Sequence, residues 1–445
     1  MAARRVAVIG AGIVGTCTAW YLRRHGFEVD VIERRDGVAR ETSWGNAGVI
    51  APGYVTPWAA PGMPRKVLSY LFAAEAPVLF RPVASSALLR WIARWLRECE
   101  LSRYRVNKAR MQRLAFHSRD ALHALRAELG IDDGRRQGYL QLLRSERDLA
   151  MAGPARALLA ENGVPHALLD ADATRAREPA LACSTPLLGA LWLPEDESAS
   201  CPDFAEALAE AATAAGVRFR FGRTVRRIVV EGGRVRGLDV SPSPGAFTTA
   251  GAEGNGAARG TAANDAGAVG RHDCDAVVVA GAVDALPLLA AHGIRLPIWP
   301  VKGYSTTLPM PDAARGPRSA MIDEAYKVAI TPFPGRIRVA GTAELGSPAL
   351  VPRPEALRTL VKVGRDWFPD AADWGAATCW VGARPMTPDG PALLGATPVA
   401  GLYVNMGHGS TGWAMAAGAG QVVADVVAGR APAIDLDGLT LERLR

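Results

Sequence analysis

Paired cysteines, lysine and long uninterrupted apolar runs are what this 445-residue chain has least of. Its six cysteines (17, 99, 183, 201, 274 and 379) are scattered, with no C-x-x-C pair among them. That spacing excludes a zinc ribbon or an iron–sulfur cluster and points to a reducing compartment; no metal site is expected. Only five of the 51 basic residues are lysine (66, 108, 302, 327 and 362). The arginine excess, beside abundant alanine and glycine, reads as coding bias. The net charge of +7 still favours anionic surfaces or substrates.

No segment is long, apolar and charge-free enough to be expected to cross a bilayer. The nearest, 275–291, begins with an acid and carries Asp284. Arg4 and Arg5 before the uncharged stretch 6–22 imitate a secretory signal. That stretch carries three glycines at fixed spacing, and Arg23-Arg24-His25 follows it instead of a small-residue cleavage site. It is expected to remain in the mature protein.

What the chain does have begins with an apolar strand, Val6-Ala7-Val8-Ile9, that runs into Gly10-x-Gly12-x-x-Gly15 and a helix. A second strand, Val29-Asp30-Val31-Ile32, ends at Glu33. Gly10 permits the tight turn, Gly12 the approach of a pyrophosphate, and Gly15 close helix–strand packing. Bare N–H groups and the helix dipole then face the phosphates, and Glu33 is spaced to accept from a ribose diol. Arg34 and Arg35 raise the possibility of a 2′-phosphate, but Glu33 would repel one.

The end of the chain repeats the pattern. Strand 402–406 leads through Gly407-His408-Gly409-Ser410-Thr411-Gly412 into helix 413–428. A second helix N-terminus suits a flavin better than a nicotinamide, because reduction places negative charge around N1 and the C2 carbonyl of the ring. The bland alternative is an ordinary strand–helix turn. Between these ends the pattern predicts helices at 66–74, 87–98, 102–129, 201–216 and 355–367. Strands are expected at 138–143, 189–193, 217–221, 224–230, 274–281, 301–308, 326–331 and 336–341. Residues 241–272 are Gly, Ala, Thr, Ser and Asn with few apolar anchors, and read as a low-complexity surface insertion. Arg384, set between small residues and prolines, suits a bidentate grip on a carboxylate, or caps a loop.

Several of these segments resemble one family. The N-terminal fingerprint, the loop from Thr42 to Gly48, Val301-Lys302-Gly303-Tyr304-Ser305, Gly382-Ala383-Arg384-Pro385-Met386-Thr387-Pro388-Asp389-Gly390 and the Gly407-His408-Gly409 turn resemble the FAD-dependent D-amino-acid oxidase superfamily. Within it the bacterial D-amino acid dehydrogenases are most alike, and the resemblance covers nearly the whole chain.

The resemblance implies an α/β fold: a Rossmann-like FAD-binding domain (1–55, 199–290 and 380–445) and a discontinuous α+β substrate domain (56–198 and 291–379) on a mainly antiparallel sheet. It implies non-covalent FAD, with Ile9, Gly10, Gly12, Ile13, Val14, Gly15, Glu33 and Arg34 around the ADP half. Val225 would meet the adenine side, near Gly281. Thr42, Ser43, Asn46, Ala47 and Gly48 would lie by the pyrophosphate or flavin, and Gly407, His408, Gly409, Ser410, Thr411 and Gly412 at the pyrimidine end. Arg384, beside the flavin, would bind the substrate carboxylate, with Tyr326 and then Tyr304 as hydroxyl partners. His408 is weighed both as a base and as a neighbour of the ring.

The implied reaction is oxidative deamination of a D-amino acid to a 2-oxo acid and ammonia. The Cα hydrogen would leave as hydride to flavin N5, and electrons would pass to a quinone or respiratory-chain acceptor. Alternatives are a glycine, sarcosine or cyclic imino acid oxidase, or an RNA-modifying flavoprotein. Dispersed basic residues and the lack of an RNA-binding module argue against nucleic acid. The stretch 101–119 carries six basic residues and no acid, close to Trp91 and Trp95. It suggests either peripheral contact of a cytoplasmic protein with the inner face of the membrane or a solvated helix face with an active-site lid.

Overall fold

The computed structural model describes residues 4–70, 77–81, 83–243 and 269–444. A six-stranded sheet runs in the order Leu393–Ala396, Leu402–Met406, Ala276–Val279, Arg5–Ile9, Glu28–Ile32 and Arg218–Arg220. All neighbours are parallel except the first pair. Its central strands are continuous apolar runs, as strands covered on both faces require.

Helix Ile13–Arg24 packs on one face beside Gly412–Val427, Cys201–Ala214 and Leu101–Leu129. Two glycines set that packing. A Cβ on Gly420 would stand 2.8 Å from the backbone of Cys17, and one on Gly418 would stand 2.7 Å from the Cα of Ser118. The last helix is therefore buried almost all round, with small residues where it meets its neighbours. On the other face lies an antiparallel three-stranded sheet, Arg223–Glu231, Arg234–Pro242 and Gly270–Asp273.

The ends of the 241–272 segment are ordered strand rather than loose insertion. Ser241 and Pro242 pair with Thr224 and Arg223, and Gly270 to His272 pair with Val240 to Leu238. Residues 244–268 lie outside the described residues.

A ten-stranded mixed sheet forms the second layer. Along its main path run Trp380–Met386, Trp299–Pro309, Arg336–Gly346, Val328–Phe333, Ala320–Asp323, Arg136–Leu143, Gly189–Ser198 and Val49–Ile50. Trp380–Met386 pairs along its length with Trp299–Pro309. A boundary at 380 therefore cuts off an edge strand of this sheet, and only the chain after Met386 returns to the six-stranded one. Helix Pro354–Trp367 covers one face, burying Tyr304, Val328, Ile330, Ile337 and Val339. The strand expected at 326–331 starts two residues late. Asp323 Oδ1 accepts from the N–H groups of Ala325 and Tyr326, and Lys327 is left-handed (φ 52°), so Tyr326 sits in the turn. The helix expected at 66–74 runs over Met63–Tyr70, and residues 71–76 lie outside the described residues.

Candidate active site

The first strand–helix turn is shaped by contacts that leave no room for side chains. Gly10 is left-handed (φ +100°), and its N–H donates to Ile32 O at 2.9 Å. A Cβ on Gly15 would lie 1.9 Å from the Gly10 carbonyl oxygen. Helix Ile13–Arg24 starts at Gly12 without a side-chain cap from that residue. Ser43 Oγ reaches across from its loop to accept from the Ile13 N–H at 3.2 Å.

Glu33 is buried at the end of its strand. One carboxylate oxygen accepts from Ala11 N–H (2.7 Å) and the other from Arg35 N–H (2.8 Å). Desolvation raises its pKa, against the pull of those two backbone donors. Each oxygen keeps a second lone pair. Arg34 and Arg35 are both committed to Glu41, and Arg34 also to Asp284, so they close the rim rather than await a phosphate.

These groups line one cleft of about 1230 Å³, including its open mouth. Ile9, Gly10, Gly12, Ile13, Val14, Glu33, Arg34, Thr42, Ser43, Asn46, Val225, Gly281, Gly407, His408, Gly409 and Gly412 all border it. Gly15, Ala47, Gly48, Ser410 and Thr411 do not. Gly15 serves packing, and Ala47 O accepts from Thr331 Oγ1 at 2.7 Å. Gly48 (φ +79°) seats its loop where a Cβ would strike Phe333. Ser410 and Thr411 form the short turn ahead of helix Gly412–Val427. Arg223, Asp284, Pro385 and Asn405 border the cleft without having been expected there. Pro385 and Asn405 lie within or beside motifs already singled out, whereas no such motif holds Arg223 or Asp284.

His408 has a defined tautomer. Thr18 Oγ1 donates to Val14 O (2.7 Å), so its oxygen can only accept from Asn405 Nδ2 (3.0 Å). The Asn405 oxygen then faces His408 Nε2 at 2.7 Å, which must carry the proton. Nδ1 is left as a bare, buried acceptor with no partner among the described residues. Burial pushes the imidazole pKa down to about 4. A base held that low keeps a proton poorly at neutral pH, so the environment suits a hydrogen-bond acceptor more than a proton carrier. A dinucleotide with a flavin ring fits this cleft. It meets two helix N-termini, an acid at the ribose position and an orphaned acceptor beside the second turn.

Arg384, expected beside the flavin, does not itself border the cleft; its chain neighbour Pro385 does. Arg384 shares one face of the large sheet with Trp380 and Gly382, and across the strand pair with Val301, Gly303 and Ser305. Its guanidinium stands over Gly303, where a Cβ would meet Nη2 at 2.3 Å. Among the described residues it has no hydrogen bond or ion pair, and desolvation alone lowers its pKa from 12.5 to about 10. A desolvated cation without a counter-charge is costly, and a ligand carboxylate would relieve that cost.

The two tyrosines do not join it. Tyr304 is paired with Gly341 and alternates to the opposite face, where its hydroxyl donates to Glu344. Tyr326 sits at the turn on the same far side, its hydroxyl accepting from Lys362 Nζ at 3.1 Å and its ring under Arg144. The period-2 pleat separates Tyr304 from Arg384, the turn carries Tyr326 to the far side, and neither hydroxyl partners the guanidinium. Sequence reasoning missed Arg338, which does share the face of Arg384. It is buried, donates to Trp44 O (2.8 Å), Asn46 O (2.7 Å) and Thr307 Oγ1 (2.8 Å), and so clamps the 41–48 loop. The alternation of Arg336 and Arg338 along a strand was the only available signal.

Comparison with known proteins gives three concordant findings. The family model described as FAD dependent oxidoreductase (DAO) matches residues 5–426. A D-amino acid dehydrogenase from Rhizorhabdus wittichii is 45% identical over 441 residues, covering 99% of this chain and all of that protein. Among solved structures, glycine oxidase from Geobacillus kaustophilus superposes with a TM-score of 0.72 at 24% identity, over 98% of both chains. L-proline dehydrogenase from P. horikoshii does so at 0.70 and 20%, over 99% of this chain and 98% of that one. At those identities the structures speak for the fold.

Proposed function

Because the chain belongs to the DAO family of FAD-dependent oxidoreductases, we propose that it oxidises D-amino acids to 2-oxo acids and ammonia. The observation that carries the reading is Arg384, a desolvated guanidinium without a hydrogen bond or ion pair among the described residues, one residue from Pro385 at the border of the dinucleotide cleft. Its planar fork matches a carboxylate in two parallel hydrogen bonds and fixes the substrate about the Cα it will oxidise. When bound, FAD supplies the two-electron acceptor for the Cα hydrogen. The amino N–H proton leaves to solvent, and the imine takes up water to release ammonia.

The chain's own contribution is placement. Gly10, Gly12 and the start of helix Ile13–Arg24 receive the pyrophosphate, Glu33 the ribose, and the Gly407–Gly412 turn the pyrimidine end. Arg338 holds the 41–48 loop against them. Positioning of this kind is worth several kcal/mol of a barrier. His408 enters as an acceptor, not as the base.

For the electron acceptor we propose a quinone or respiratory-chain partner at a membrane surface. Among the described residues no helix is long and apolar enough to cross a bilayer. A different surface supports peripheral contact. Trp91 and Trp95 are buried against Val301 and Met386, and Trp91 Nε1 donates to Met386 O, so these rings cannot face lipid. Arg110, Arg113 and Arg119 are paired with acids. What helix Ser86–Glu98 and the start of Leu101–Leu129 do expose is Leu89, Leu96, Leu101 and Val106, interleaved with Arg90, Arg94, Arg97 and Arg105. Apolar tips among arginines suit an anionic interface.

The test is an anaerobic visible spectrum of purified protein with D-alanine, L-alanine and D-proline. A flavin bleached by D-substrates alone is expected. Reoxidation by a quinone analogue and not by air would mark a dehydrogenase. A flavin that no amino acid bleaches would overturn the reading and leave N-methyl amines and RNA as the next substrates to try.

A further inference from the structure

Gly303 and Gly382 are paired directly across the Trp299–Pro309 and Trp380–Met386 strands. The guanidinium of Arg384 occupies the space above Gly303. The indole of Trp380 occupies the space above Gly382, where a Cβ would meet Cη2 at 2.1 Å. Paired residues stand roughly 4.5–5.5 Å apart, so cation and ring end lie side by side on a two-glycine floor. The same indole reaches the 41–48 loop, since a Cβ on Gly45 would meet it at 2.1 Å. Further along the same face the row continues as Ser305, Ala340 and Ala329, all small. The other charged groups on this face among these paired positions are Arg338, two residues from Ala340, and Arg336 beyond it. No carboxylate occurs there.

We infer that Trp380 is the side-chain wall of the substrate site, and that the site admits D-amino acids with small, uncharged side chains. The inference rests on Arg384 as carboxylate anchor. A substrate held by that guanidinium must direct its side chain along the floor, and the indole is the bulky group beside the anchor. A cationic side chain would meet two arginines and no acid, which opposes it at short range. A bulky one would have to displace a ring held between Gly45 and Gly382.

The experiment compares kcat/KM for D-alanine, D-norvaline, D-phenylalanine and D-lysine in wild type, Trp380→Phe, Trp380→Leu and Trp380→Ala, with FAD content measured for each. Trp380→Ala is expected to raise the D-phenylalanine to D-alanine ratio at least about tenfold, within the range one pocket-wall change supplies. Trp380→Phe, which keeps an aromatic wall, should move it less than about threefold. D-lysine should stay the poorest substrate throughout, because both arginines remain. If Trp380→Ala loses FAD, Trp380→Leu carries the same comparison against Trp380→Phe.

Ratios within about twofold of wild type in the Ala and Leu variants, with D-alanine still oxidised, would overturn this inference alone. Such a result, coupled with weakened FAD binding, would assign Trp380 to support of the 41–48 loop. Failure of wild type to oxidise any D-amino acid would overturn the reading of Arg384, and this inference with it.

Discussion

Gly303 has no side chain where Arg384 has its charge: a Cβ there would lie 2.3 to 2.6 Å from three atoms of the guanidinium group. A glycine on one strand thus makes room for an arginine on the next. Gly303→Ala is expected to push the guanidinium out of place, and Arg384→Lys to replace a planar fork with a point charge. Both should raise KM for D-alanine at least about tenfold, the cost of one charge-assisted hydrogen bond, while the flavin to protein absorbance ratio holds. Normal KM in both variants would remove Arg384 from the site.

The desolvated His408 makes a prediction about acid stability. Its folded pKa, about 4, lies below the ordinary 6.5, so the unfolded chain binds the proton more readily. Stability from keeping the ring neutral is complete above pH 6.5 and is lost as pH falls through the window toward 4. The span corresponds to roughly 3 kcal/mol as an upper limit. Urea unfolding at several pH values between 4 and 7 should give a shallower dependence in His408→Asn than in wild type. Parallel curves would mean that the ring is not held neutral by burial.

Behind Arg384, on the far face of the sheet, Lys302 and Glu344 form a wholly buried ion pair (2.6 Å), with Tyr304 donating to the same carboxylate and Lys302 to Ala349 O (3.0 Å). Lys302→Met leaves that carboxylate without its main cation and is expected to destabilise by about 3–5 kcal/mol. Lys302→Met with Glu344→Leu should recover much of the loss. Denaturant unfolding of the two variants checks this, and equal stabilities would show that the pair is not coupled.

The exposed leucines carry the membrane proposal. Leu89 is 67% exposed and Leu96 47%, on the arginine-bearing face of the same helix. Replacing both with aspartate should lower co-sedimentation with phosphatidylglycerol vesicles at least about fivefold, through lost apolar insertion and added repulsion. Oxidation of D-alanine should be untouched. Unchanged sedimentation would end the proposal for this surface.

Much of the cleft was legible in the chain because the constraints there are local. The positive φ at Gly10 and the collision that a side chain at Gly15 would cause act within a few residues, and so does the step from strand to helix N-terminus. They leave glycines at fixed spacing. Parallel strands buried on both faces leave continuous apolar runs, which is why the elements around 5–32 and 402–427 could be read with little error.

Which side of the large sheet a residue faces was another matter. Pleat parity is set by register between distant strands, and the bulge that displaces pairing between Gly303 and Tyr304 has no sequence mark. Only the assembled sheet put Arg384 with Trp380 and Arg338, and sent Tyr304 and Tyr326 to the helix-covered face. The tautomer of His408 was likewise decided by Thr18, 390 residues earlier in the chain, through Asn405. Local conformation is written in neighbouring residues; facing, burial and protonation depend on contacts that exist only once the chain has closed on itself.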